Sequence, residues 1–278
     1  MCSEGRQGLA GKLIFIPIRT PVMKTRFDLA PAILEAAKQA GESLRDGDIV
    51  VISGKFIAMA DGRVVRLADV AVGPEAKHLA EELEMNESLA QLVVQESDEI
   101  YGGVPGFALA IKDGMIGPNA GIDRSNVHPG YAILYPEEPF KRAQEIKRLI
   151  QKTTGMRLGV IISDSRLMPT RKGTTGVAIG VAGVVPVKDE RGRADLFGNT
   201  LRYTQRAIAD DLCAGVQLLM GEADEAVPVV IARFDAAPGE VSPWMLTDDP
   251  LDRYSLTVKS EECIYMRGLQ VRPKFSKR

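Results

Sequence analysis

Apolar positions along this chain follow two periods, and the two alternate. Residues 12–18 (KLIFIPI), 49–53 (IVVIS), 158–162 (LGVII) and 227–232 (VPVVIA) are short, nearly continuous apolar runs rich in β-branched side chains. Such runs predict strands buried on both faces. Between them lie segments with helical spacing. Residues 29–44 place Leu29, Ile33, Leu34, Ala37 and Ala40 on one face, behind Asp28, which can cap the first turn. Residues 74–96 read as one glutamate-rich helix, 140–154 as an amphipathic helix closed by Gly155, and 204–220 as another helix. Asp61-Gly62 predicts a hairpin turn between FIAMA (56–60) and RVVRL (63–67), and Asp113-Gly114 joins strands at 107–112 and 115–117. Residues 101–105 read as a glycine-rich connector. Strands alternating with helices predict an α/β, mixed α and β, class. Residues 1–235 form the main domain, of one or two lobes. Beyond it the pattern weakens, so 236–278 read as a C-terminal extension with a linker-like APGEVSPW and a basic end, VRPKFSKR, whose charges are solvated.

The candidate chemistry gathers around residues 158–183. There an apolar run breaks off at Ser163-Asp164-Ser165, which predicts a carboxylate and a hydroxyl at a strand end, where α/β proteins collect ligands. Oxygen donors of this kind suit magnesium or manganese. Arg166, Arg171 and Lys172 follow with positive charge, and Gly173, Gly176, Gly180 and Gly183 allow backbone or ligand to come close. A capped turn and glycine-mediated packing account for the same residues. Asp123, with Asn126 three residues on, supplies a second carboxylate, and the turn holding Glu222, Asp224 and Glu225 supplies more, unless it is a solvated helix-to-strand turn. Two or three carboxylates in one cleft can hold an ion that one alone holds poorly. Gly54-Lys55 ends a strand in a way that can hold phosphate, without the upstream glycines of a P-loop. Arg19, Lys24 and Arg26 in the first loop fit an anionic ligand or a solvated loop equally.

Composition narrows the classes. Apolar content of 45%, charged content of 26% and a net charge of −2 describe an ordinary soluble protein, with no basic excess for nucleic acid. Cys2, Cys213 and Cys263 lack CxxC spacing, so neither a disulfide framework nor a structural zinc site is expected, and a reducing, cytoplasmic setting fits. No window reaches the roughly 18–20 apolar residues that span a bilayer, and the N-terminus has no long apolar stretch. His78 and His128 are the only histidines and read as surface residues, which leaves little for a zinc hydrolase or a Ser-His-Asp enzyme.

Eight blocks fall in order from about residue 14 to 235: PVMK with DLAPAI, DGDIVVIS followed by ADGRVV, ESDEI, NAGIDRSN, GVIISDS, RKGTTGVAIG, KDERGRADLFG and MGEADEAVPVVIAR. Together they resemble the coenzyme F420-0:L-glutamate ligase, or γ-glutamyl ligase, family. The resemblance implies that family's own fold, with mixed sheets and flanking helices, in a homodimer acting on small molecules. It implies GTP as co-substrate, Mg2+ or Mn2+ as a pair of ions, and an amide formed between L-glutamate and a carboxylate of the F420 precursor through an acyl phosphate. By position, Asp123 and Asp164 would hold one ion, and Ser165 and Glu222 would contribute to the second. Thr20, Pro21, Val22, Met23, Gly54, Lys55, Asn126, Met220, Gly221, Ala223, Asp224, Glu225, Ala226 and Val227 would contact the nucleotide. Arg171 and Arg191 are candidates for an acyl phosphate or substrate carboxylate, since guanidinium grips such oxygens in bidentate fashion. Two departures stand out: Ala58-Met59 occupies the place of a serine-lysine pair, and the first loop is more basic. Lys55 or Arg19 would then supply the missing charge. The same ligation on a pterin or folate-like acceptor, a nucleotide- and metal-binding relative without ligase activity, and a hydrolytic metalloenzyme are the alternatives.

Overall fold

The structure is a computed structural model describing residues 11–236, 241–269 and 272–276. The start of the chain, part of APGEVSPW and parts of VRPKFSKR lie outside the described residues. In chain order the strands are β1 Lys12–Ile18, β2 Ile49–Ser53, β3 Val64–Arg66, β4 Glu99–Val104, β5 Phe107–Lys112, β6 Met115–Pro118, β7 Tyr131–Ile133, β8 Gly159–Leu167, β9 Thr174–Ala182, β10 Lys188–Asp189, β11 Gln205–Arg206, β12 Val229–Asp235 and β13 Phe275–Ser276. The helices are α1 Leu29–Gln39, α2 Gly54–Ala60, α3 Pro74–Glu82, α4 Glu87–Glu96, α5 Pro139–Thr154, α6 Ile208–Met220 and α7 Ile264–Gly268. The class is α/β, as the alternation of periods predicts.

The four apolar runs become neighbours in one five-stranded sheet ordered β1-β12-β2-β8-β9. β2 and β8 are parallel, with Ile49 beside Gly159 and Ser53 beside Ser163, while β12 runs antiparallel to both β1 and β2. Alternate side chains explain why these strands are apolar throughout. Val50, Ile52, Val160, Ile162, Val229 and Ile231 pack with residues of α1, α2 and α5, whereas Ile49, Val51, Ile161, Val230 and Ala232 pack with α6 and Trp244. Helices therefore cover both faces, and burying each such side chain contributes about 1.5–3 kcal/mol. Gly176 and Gly180 of β9 let those helices close in: a Cβ would lie 2.3 Å from the Cys213 carbonyl oxygen of α6 and 2.5 Å from the Pro139 carbonyl oxygen of α5. The glycines there serve packing, not a ligand.

A second sheet, β13-β4-β5-β6, packs against α3 and α4 around Leu89, Val93, Ile100 and Ala108. The Asp113-Gly114 hairpin joins β5 to β6 as expected. Residues 236–278 contribute β13, which pairs with β4, and Trp244, whose indole N–H donates to the Gly47 carbonyl at 3.0 Å. The basic end is not wholly solvated, since Lys274 forms an ion pair with Glu82.

Several expected boundaries change. FIAMA is not a hairpin arm but most of α2, because Phe56, Ile57 and Ala60 face one core at helical spacing; β3 pairs with β7 instead. The segment 74–96 is two helices, since the Asn86 side chain caps α4 by accepting from the Leu89 N–H at 3.0 Å. Residues 101–104 belong to β4, where Gly103 lets the Phe107 carbonyl approach within 2.0 Å of an absent Cβ. Helix α1 ends at Gln39, and α6 starts at Ile208 after Gln205–Arg206 pairs as β11. Most consequential, β8 does not stop at Ser163. It continues to Leu167 through a register shift at Ile162/Ser163 while still paired with β9, so Asp164 and Ser165 are held by strand hydrogen bonding.

Candidate functional site

Register alone brings four segments together. Because β2 and β8 are parallel and Ser53 pairs with Ser163, Gly54-Lys55 follows β2 at the level of Asp164-Ser165, at the edge of the sheet formed by the ends of its strands. Because β12 is antiparallel to them, its approach from α6, residues 220–228, meets that edge, and the end of β1 follows through the pairing of Ile18 with Val229. Backbone bonds fasten the junction: the Thr20 N–H donates to the Ala226 carbonyl at 3.1 Å and the Ser53 N–H to the Pro228 carbonyl at 2.8 Å. Ala226 holds a left-handed φ of 54°, an uncommon conformation for alanine.

These segments enclose a cleft of about 300 Å³. Thr20, Pro21, Val22, Met23, Lys55, Asn126, Asp164, Ser165, Met220, Gly221, Glu222, Ala223, Asp224, Ala226 and Val227 all line it. Ser53, Phe56, Met59, Ser125, Ser163 and Gln217 line it too; Ser163 and Met59 stand out in the sequence, while Ser53, Phe56, Ser125 and Gln217 carry no local signal and are brought there by the fold. A second cleft, of about 240 Å³, opens on the other side of Lys55, Asp164 and Ser165, and Gly54 and Asp123 line this one. Glu225 lines neither; its carboxylate accepts from the Ala223 N–H at 2.9 Å and braces the turn. Gly221 is required there, since its φ is +68° and a Cβ would sit 2.0 Å from the Glu225 carboxylate carbon.

Arg171 and Arg191 are not brought to either cleft. Arg171 is exposed in the β8–β9 loop, and Arg191 is exposed with its guanidinium turned onto Asp189.

The titratable groups at the junction are unlike one another. Burial pushes Asp164 up to about 6, opposed by the positive charges of Arg166 and Lys55 and helped by the nearby Asp123. Burial also acts to raise Asp123, but the Lys55 ammonium, 2.6 Å away, and the Ser125 N–H and hydroxyl outweigh it and hold the carboxyl below its ordinary value. Lys55 also donates to the Ser125 hydroxyl oxygen at 2.8 Å. Glu222 is gripped by hydroxyls and an amide: Ser165 at 3.1 Å, Thr174 at 2.6 Å and Gln217 at 2.9 Å.

Asp123, Asp164, Ser165 and Glu222 thus surround the junction, yet among the described residues no three carboxylate, histidine or cysteine side chains form a closed metal cage. The donor set fits a small hard cation all the same. Magnesium is commonly held by one or two carboxylates plus substrate phosphates and water rather than by a full protein cage. Among the described residues Asp164 and Glu222 make no salt bridge, whereas Asp123 is paired with Lys55. Among the described residues no helix is long and apolar enough to cross a membrane.

Residues 17–233 match the family model described as F420-0:Gamma-glutamyl ligase. The chain is 41% identical over 214 residues to the coenzyme F420:L-glutamate ligase of Methanothermobacter thermautotrophicus, covering 77% of this chain and 85% of that protein. It is 38% identical over 207 residues to the enzyme of the same name from Methanopyrus kandleri, covering 74% of this chain and 80% of that protein. With the counterpart from Archaeoglobus fulgidus it shares 36% over 222 residues, 80% of this chain and 87% of the relative. The matched span runs from the end of β1 into β12 and so contains every lining residue of both clefts; the chain belongs to the F420-0:gamma-glutamyl ligase family.

Proposed function

We propose that this chain ligates L-glutamate to a carboxylate of the F420 precursor, using GTP bound in the first cleft. The observation that carries this reading is the meeting of the two clefts at Lys55, Asp164 and Ser165. Two reactants need a shared wall to reach each other, and this junction provides one.

A carboxylate is a poor acyl donor, so an oxygen of the acceptor carboxylate would attack the γ-phosphorus, breaking the bond to GDP and leaving an acyl phosphate. The glutamate amine would then attack the acyl carbon, forming the amide, expelling phosphate and releasing a proton. Lys55 would turn from Asp123 to the terminal phosphate oxygens. Glu222, oriented by Ser165, Thr174 and Gln217, would stand at the mouth, and the 20–23 and 220–227 segments would wall in the nucleotide. Mg2+ or Mn2+, held by Asp123, Asp164, Ser165 and Glu222, would screen the negative charge that opposes both attacks.

Arg171 and Arg191 would join this chemistry only from a closed loop or a second subunit. A homodimer is part of the proposal, supported by the exposed Leu196, Phe197 and Tyr203 near Arg191, at 73%, 91% and 90% exposure. Met59 favours a second reading, in which the acceptor is pterin-like or ligation is lost, because it places an apolar side chain on the first cleft.

The deciding experiment incubates purified protein with Mg2+ or Mn2+, GTP or ATP, L-glutamate and the F420 precursor, following phosphate and product mass. The expected result is phosphate release that needs both acceptor and glutamate, with a product heavier by one glutamyl unit. Nucleotide binding without product favours the second reading.

A further inference from the structure

The second cleft differs in kind from the first. Its walls carry Phe107, Pro118, Ile122, Tyr135 and Leu167, and Arg166 lies among them. Phe107 and Leu167 are 53% and 51% exposed, which leaves apolar surface open to a ligand. Arg166 is partly buried, and its guanidinium is fixed from the protein side: Nη1 donates to the Ile116 carbonyl at 3.1 Å and the group hydrogen-bonds the Tyr135 hydroxyl. Beside it, the Gly117 position would carry a Cβ 3.5 Å from Nε, so the glycine leaves that side of the guanidinium clear. Among the described residues Arg166 makes no salt bridge, whereas Lys55, the other cation of this cleft, is engaged by Asp123. A guanidinium has five N–H donors, and an oriented one with unused donors beside an apolar wall is built for an anion attached to a flat or apolar body.

We propose that the second cleft receives the carboxylate acceptor and that Arg166 clamps a second anionic group on it, so that Arg166 selects acceptors carrying an anion besides the reacting carboxylate. The reacting carboxylate then lies toward Lys55, Asp164 and Ser165, where the first cleft presents the terminal phosphate. This deepens the ligase reading and rests on it.

The test is steady-state ligation by wild type, Arg166→Gln and Arg166→Lys, with acceptor, GTP and glutamate varied in turn. A charge-assisted clamp predicts a roughly 10- to 100-fold rise in acceptor KM for Arg166→Gln, a smaller rise for Arg166→Lys, and KM values for GTP and glutamate within about twofold of wild type. Phe107→Ala checks the same cleft without touching the guanidinium, and its acceptor KM alone should rise roughly threefold through lost apolar contact. An unchanged acceptor KM in Arg166→Gln, or in Phe107→Ala should the first variant not fold, overturns the inference while leaving the ligase reading intact. A rise shared equally by all three substrates also overturns it. Wild-type protein that consumes no acceptor removes the ligase reading itself, and this inference with it.

Discussion

Asp48 and Asp164 stand at opposite edges of the same sheet, one just before β2 and the other near the end of β8. Asp48 is 1% exposed and fully answered: Arg233 donates to its two carboxylate oxygens at 2.9 and 2.8 Å, and the Arg45 N–H adds a bond at 2.8 Å. Arg233 in turn reaches Glu42 and the Ser43 carbonyl, and the surrounding carboxylates raise its already high pKa, the Asp48 hydrogen bond first among them. Asp164 has no salt bridge among the described residues, and burial lifts its pKa to about 6. The two edges show the same residue type in two uses. Asp48 has both carboxylate oxygens bonded and fastens the sheet, whereas Asp164 faces both clefts with no cation bonded to it among the described residues.

The contrast breaks most visibly at the closed edge. Asp48→Ala leaves Arg233 buried with poorer partners and should lower the unfolding free energy by about 3–5 kcal/mol, measured by urea titration, without changing the KM values of the protein that remains folded. Replacing both partners with apolar residues, Asp48→Leu with Arg233→Met, should recover much of that loss. At the open edge the larger effect belongs to Lys55. Lys55→Met should weaken nucleotide binding roughly tenfold by calorimetric titration, with stability changed little, because the pair it forms with Asp123 is partly solvated. A smaller gain is expected from Met59→Lys, which adds a cation to the first cleft and should tighten the same titration about threefold. An Asp48 variant that lost only activity, or a Lys55 variant that lost only stability, would erase the difference between the edges.

The strands of the central sheet were legible because burial on both faces demands apolar residues at every position, and such runs are rare elsewhere in the chain. Asp164 was legible for the same reason, as a carboxylate interrupting one of those runs. What the pattern misread was the strand's end: β8 continues past Asp164, since pairing with β9 is a property of the partner strand and leaves no mark on residues 163–167. FIAMA resembles a strand because five consecutive residues, nearly all apolar, are too few to display a helical period. Arg171 and Arg191 are candidates because a guanidinium can grip a carboxylate or phosphate, but arginines also populate exposed loops, and that is where both stand. Convergence of the first cleft came from resemblance rather than from any local pattern. The second cleft was invisible because its walls come from β5, β6, β8 and the segment after β7, which only the folded chain brings together.

The most direct test compares Asp164→Asn with wild type, without metal or nucleotide, across pH. A carboxyl whose pKa is about 6 when folded, against an ordinary 3.8, binds more protons folded than unfolded between those values, so its ionisation takes stability away as pH rises from about 4 through 6. The asparagine variant should therefore match wild type below pH ~4 and exceed it at pH ~7.5 by on the order of 2 kcal/mol, while ligation falls by about 100-fold or more. A variant no more stable than wild type at neutral pH, or one that ligates at the wild-type rate, would contradict the claim that Asp164 is held unpaired for the reaction.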